Sequence, residues 1–148
     1  MGWRPRRDPS RPDERLVVVL VDSSAWVEYL RATRSPVDVR VTEMVGVEAY
    51  AITDVVLAEL MMGALTGQDL YRIRRLADSG RFFAVRPLFD YETAADIYRT
   101  CRRGGVTPRS LADCLVAAVA INNDLEVLSA DRDFAVIAEH TPLRLATV

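Results

Sequence analysis

Lysine is absent from this 148-residue chain; all nineteen basic residues are arginine. A receiver-type phosphotransfer domain, which relies on a lysine beside its acidic pocket, is excluded on that count. Cysteine is scarce as well. Cys101 and Cys114 have neither metal-ligand spacing nor a secretory context, so both read as free packing thiols in a reducing, cytoplasmic compartment. His140 is the single histidine and lies in a polar stretch, where a surface role outweighs that of a general base. Without paired Cys or His, the ligand sets that favour zinc are missing. No apolar run approaches the roughly 20 residues of a membrane span. Internal repeats and linkers are missing too, so the chain reads as one domain.

What is present suits a globular core. Half the residues are hydrophobic, and a chain of this length buries roughly 70% of its extended surface on folding. Residues 1–15 (MGWRPRRDPSRPDER) stand apart as a flexible basic N-terminal extension, with the folded domain expected over residues 16–148. Arg6 and Arg7 precede an apolar run, but that run ends at Asp22 with no small-residue cleavage site, which argues against an export signal. Five arginines and three acids fall in the extension, leaving fourteen arginines against eighteen acids in the domain. Such an excess is compatible with phosphate binding where acids collect in one pocket, arginines sit on its rim and cations mediate.

The organising stretch is Leu16–Leu30, LVVVLVDSSAWVEYL. Six aliphatic residues in a row predict a central parallel strand buried on both faces. Ser23 or Ser24 is the expected N-cap of a helix carrying Trp26, Val27 and Leu30 inward. Asp22 then falls at the carboxyl end of a core strand, where open α/β sheets form their ligand crevices. Further along, Val37–Gly46 predicts a short helix and Ala49–Thr53 a strand. The next helix carries Val56, Leu57, Leu60, Met61 and Leu65 as its apolar stripe. A helix over Gly67–Asp78, a strand at Phe82–Val85 and a helix over Tyr91–Arg103 follow. Ser110 is placed to cap the apolar helix Leu111–Asn122. A strand at Glu126–Ser129, a short helix capped by Asp133 and an edge strand at Leu143–Leu145 complete the chain. Alternating elements of this kind predict a three-layer α/β/α domain around a parallel sheet of four to five strands.

Three acidic positions share one location in that scheme. Asp22 ends the first strand, Asp113 opens a buried helix, and Asp131 with Asp133 follows the last long strand. Each has an ordinary explanation as a cap or turn residue. Together they meet along one sheet edge, where gathered carboxylates repel unless a cation joins them. All-oxygen ligands point to Mg²⁺ or Mn²⁺, with distances of about 2.0–2.1 Å for Mg²⁺. A haloacid-dehalogenase-type phosphatase also uses acids at strand ends, but it needs an Asp two residues after its nucleophile, and Ser24 stands there.

The runs VDSSAWVEYL, TDVVLAEL, SLADCLVAAVA and VLSADRDF resemble, in order and spacing, the PIN-domain ribonucleases, and most closely the VapC toxins of bacterial toxin–antitoxin pairs. The resemblance extends from Val17 to about Leu145. It implies that Asp22, Glu59, Asp113 and Asp131 form the catalytic, metal-binding quartet, with Asp133 as an auxiliary acid. Spacing alone does not single out Glu59. It further implies Mg²⁺-dependent hydrolysis of RNA phosphodiesters leaving 5′-phosphate and 3′-hydroxyl ends, a homodimer, and inhibition by a VapB-type antitoxin. The segment of that antitoxin would lie in the active-site groove, with Met61 and Met62 as candidates for its apolar wall. Arg102, Arg103 and Arg109, near the Asp113 block, are candidates for gripping the RNA backbone. A housekeeping PIN nuclease of RNA processing is the rival enzyme. A non-catalytic RNA- or protein-binding PIN scaffold is the non-enzyme rival, disfavoured by the presence of all four acids.

Overall fold

The structure is a computed structural model that describes residues 17–148. The extension expected at residues 1–15, together with Leu16, lies outside the described residues.

The elements run β1 (Val19–Val21), α1 (Ser23–Leu30), α2 (Pro36–Gly46), β2 (Tyr50–Ile52), α3 (Asp54–Gly63) and α4 (Gly67–Ser79). They continue with β3 (Arg81–Phe82), α5 (Phe89–Arg103), α6 (Leu111–Asn122), β4 (Glu126–Leu128), α7 (Arg132–His140) and β5 (Arg144–Leu145). The five strands are parallel in the order β3-β2-β1-β4-β5. Helices α1 to α4 pack among themselves and α5 to α7 among themselves, forming the two outer layers of an α/β/α sandwich.

The uniform aliphatic run is explained by where β1 lies. It pairs with β2 on one side (Leu20 opposite Ala51) and β4 on the other (Leu20 opposite Val127). With helices above and below, Val19, Leu20 and Val21 are all buried. Strand order reverses at the β1–β4 neighbour pair, because the chain winds outward through β2 and β3 before returning to β4. Such a switch point opens a crevice beyond the carboxyl ends of its two strands. Asp22 follows β1 directly, and its N–H still donates to the Leu128 carbonyl at 2.9 Å. The sheet ladder itself therefore carries the acid to the crevice.

Packing fixes that placement. Trp26 and Tyr50 are fully buried and meet edge to face at 5.1 Å and 81°, an arrangement worth about 0.5–1.5 kcal/mol beyond its area. The Tyr50 hydroxyl donates to the Leu76 carbonyl at 2.7 Å, joining the sheet to the end of α4. Helix α6 is buried continuously from Cys114 to Ala120, as its nearly unbroken apolar sequence requires. Both cysteines are free and buried, and burial pushes the Cys114 thiol up to about 11.

Several boundaries differ from the sequence reading. The strands are shorter than expected, and β3 is two residues long at Arg81–Phe82. Leu65 falls beyond the end of α3 and is exposed, so it is no core residue. The helix caps also shift, with consequences at the site.

Candidate active site

Asp22, not Ser23 or Ser24, is the N-cap of α1. A carboxylate leaving a strand in extended conformation meets the first helical N–H groups, the usual capping chemistry. Here, however, the backbone bond is the weaker one. Asp22 Oδ2 accepts the Ser24 N–H at 3.3 Å, the Ser24 hydroxyl at 2.7 Å and the Ser129 hydroxyl at 3.2 Å. The other oxygen, Oδ1, is buried and has no hydrogen-bond partner among the described residues. Leaving a carboxylate oxygen buried and unpaired is costly unless positive charge faces it.

Asp113 sits in the first turn of α6, where Ser110 caps the helix by accepting the Asp113 N–H at 3.3 Å. Asp131, rather than Asp133, caps α7: its Oδ1 accepts the Asp133 N–H at 3.0 Å. Asp133 therefore occupies the first turn of α7 instead of preceding it. Two helix starts and one strand end thus deliver their acids to one place. Carboxylate oxygens of Asp113, Asp131 and Asp133 all lie within 4.8 Å of one another.

The electrostatic result is large at one residue. Burial, followed by the charges of Asp22, Asp131, Asp133 and Glu59, pushes the Asp113 carboxyl up to about 7. Glu59 reaches the cleft from α3. Partial desolvation of its carboxyl, then the Asp22 charge, raises its pKa, while a Ser23 hydroxyl bond opposes the shift. These are the signs expected of carboxylates crowded together.

An open cleft of about 900 Å³ contains Asp22, Glu59, Asp113, Asp131 and Asp133 together. Arg109 and Arg132 line it too, and neither forms an ion pair among the described residues. Arg102 and Arg103 do not line it. Arg102 lies over the Tyr98 ring at 5.7 Å and Arg103 bonds Thr100 at 3.4 Å, both at the far end of α5. Nearness in sequence to Asp113 is not nearness in space there. Gly104, next after Arg103, lies against His140 at the end of α7 opposite Asp131. The connection, with Gly105 at a left-handed φ of +87°, runs from there to Arg109 at the cleft. Arg132 was overlooked as a rim residue, although its place between Asp131 and Asp133 was a usable signal.

The cleft runs on into a groove of about 450 Å³ between α1, α3 and α4. Ser23, Val27 and Glu59 belong to both. Leu30, Leu60, Ala64 and Leu65 supply apolar lining, and Arg31, Asp69 and Arg72 supply charge. Met61 and Met62 do not line it; Met61 packs against the core and Met62 is exposed.

The donor set fits a hard divalent cation. Every candidate ligand is oxygen, one buried oxygen lacks a partner, and no cationic side chain forms an ion pair with the cluster among the described residues. A parallel α/β domain with a cleft at its switch point belongs to the class that works on ligands beyond its strand ends, and the acids gathered in this cleft could hold a metal ion there. Comparison with known proteins gives the family. The PIN domain family profile matches residues 19–140. The chain is 39% identical over 132 residues to VapC ribonuclease Mb1587 of Mycobacterium bovis, covering 88% of this chain and 98% of that one. The same figures hold for ribonuclease VapC11 of Mycobacterium tuberculosis. A crystal structure of VapBC2 from Rickettsia felis, bound to a promoter DNA fragment, superposes with a TM-score of 0.71 at 13% identity. That alignment covers 88% of this chain and 98% of the other and bears on the fold alone. The chain belongs to the PIN-domain family and, within it, to the VapC ribonucleases.

Proposed function

We propose that this protein is the toxin of a type II toxin–antitoxin pair, an Mg²⁺-dependent endoribonuclease acting in the cytoplasm. The observation that carries the reading is the buried, unpartnered Asp22 Oδ1 in the same cleft as the Asp113–Asp131–Asp133 cluster. Asp22, Asp113 and Asp131 would hold the cation, with Asp133 adjoining and Glu59 across the cleft. When bound, the ion supplies positive charge to the phosphate oxygens and lowers the pKa of water toward neutrality. The remaining work falls to side chains. Glu59, its pKa raised, orients the attacking water and receives its proton. The water oxygen bonds to phosphorus, the P–O3′ bond breaks and the departing 3′ oxygen takes a proton from solvent water, leaving 5′-phosphate and 3′-hydroxyl ends. Arg109 and Arg132 on the rim grip flanking phosphates, a sequence-independent contact that weakens with salt. Mn²⁺ has the ligand preferences to replace Mg²⁺.

A VapB-type antitoxin is the proposed inhibitor. The groove beyond Glu59 offers apolar lining with Arg31 and Arg72 at its edge, suited to an amphipathic segment that also reaches the acids. Antitoxin basic groups would make charge-assisted bonds to the carboxylates in place of the cation. The protein is expected to act as a homodimer. Purified protein incubated with total cellular RNA should cut it in Mg²⁺ or Mn²⁺ and fall silent in EDTA. Asp22→Asn should be inactive in every condition; undiminished cutting by that variant would remove the assignment.

A further inference from the structure

We infer that Ser24 is a positioning residue that fixes the Asp22 carboxylate and sets the cation affinity of the cleft. The inference rests on the metal-dependent reading above. Asp22 is poorly restrained by its own helix, because the capping N–H of Ser24 lies 3.3 Å away. The shorter contact, at 2.7 Å, comes from the Ser24 hydroxyl. That hydroxyl also accepts the Ala130 N–H at 3.0 Å, across 106 residues of sequence. It lies 3.0 Å from the Ser129 hydroxyl, which donates to Asp22 Oδ2 at 3.2 Å and accepts the Asp131 N–H at 2.9 Å.

Hydrogen counting shows what this arrangement does. Each serine has one hydroxyl hydrogen and two lone pairs. With neither serine donating to the other, both hydrogens go to Asp22 Oδ2, and the lone pairs that remain accept the Ala130 and Asp131 N–H groups. Oδ2 is then saturated, and the carboxylate cannot rotate without breaking hydrogen bonds. Oδ1 is left as the single free acceptor. The same hydroxyl pins the turn leading into Asp131, so one side chain sets the distance between acids from β1 and from α7. Ser23, next in sequence, serves Glu59 instead. Outer-shell hydrogen bonds of this kind orient ligands and tune metal affinity.

The test is Mn²⁺ binding to the full chain, followed by electron paramagnetic resonance without RNA. Melting in EDTA is recorded for each variant alongside. Wild type should bind Mn²⁺, Asp22→Asn should not, and Ser24→Ala should bind about 10–100-fold more weakly. Ser24→Thr keeps the hydroxyl and should restore affinity, a rescue that loss of general stability would not produce. Should Ser24→Ala be unfolded at the assay temperature, Ser129→Ala serves in its place, with a smaller loss because its contact is longer. Ser24→Ala binding as tightly as wild type would overturn the inference while leaving the metal reading standing. So would Ser24→Thr binding as weakly as Ser24→Ala while melting like wild type. Wild type that takes up no Mn²⁺ would overturn both.

Discussion

Asp113 concentrates the physics of the cleft in one side chain. Its carboxyl titrates near 7 because burial and four neighbouring acids disfavour its charge. Replacing it by Asn should lower RNA cleavage by more than the roughly 10–100-fold typical of outer-shell changes, measured as kcat/KM on a defined RNA. The same pKa implies that cation uptake by wild type strengthens as pH rises through about 7, since the proton must leave first. Arg109 belongs to the rim, so Arg109→Ala should weaken RNA binding and reduce the salt dependence by about 0.7–1 in log–log slope. Arg102→Ala, remote from the cleft, should leave that slope unchanged. At this scale the sequence was readable unevenly. The position of Asp22 followed from its strand, whereas Glu59 rested on the four-block resemblance. The Ser24–Ser129 contact joins residues 105 apart in sequence, and no local pattern announces it.

Elements carry these residues to their places, and their packing can be tested separately from chemistry. Gly80 ends α4 against the Tyr50 ring; a Cβ there would come within 2.3 Å of ring carbon. Tyr50 is buried against Trp26 and tied to Leu76, so its ring has little freedom to yield. Gly80→Ala should therefore cost about 1–3 kcal/mol in a urea melt, with cation affinity preserved in the folded protein. Element types and order were legible because the central strands β1 and β2 are short, apolar and bounded by polar or turn residues, whereas the edge strands β3 and β5 each carry an Arg and are exposed. Cap identities were less so. Two adjacent hydroxyls and two nearby acids offered competing caps, and the winning residues at both sites, Asp22 and Asp131, are the acids facing the cleft. The proposed metal ligation and the capping therefore fall on the same side chains, and local capping rules, which favour the later residues, placed the helix starts one or two residues late.

For the whole molecule, folding stores like charge at one notch. Between roughly pH 4 and 7 the native state retains a proton on Asp113 that the unfolded chain, with an ordinary value of 3.8, releases. In EDTA this group's contribution to stability must fall as pH rises through that window and stay low above it. Asp113→Asn removes the term, so its melting temperature should gain on wild type from pH 4 to 8; parallel profiles would contradict this. Saturating Mg²⁺ should reverse the loss in wild type, by about 2.7 kcal/mol at one hundred times Kd. The domain's acidic excess was visible in composition, but its concentration at the β1–β4 switch point required the sheet order to appear.

On the proposed function, these acids share one cleft because a divalent cation joins them. Calorimetric titration of Mg²⁺ into the protein at pH 6–7, in buffers of different ionisation heats, tests it most directly. Binding accompanied by release of a substantial fraction of one proton, absent in Asp113→Asn, is the predicted result. No binding, or binding with no proton release that Asp113→Asn leaves unaltered, would contradict it.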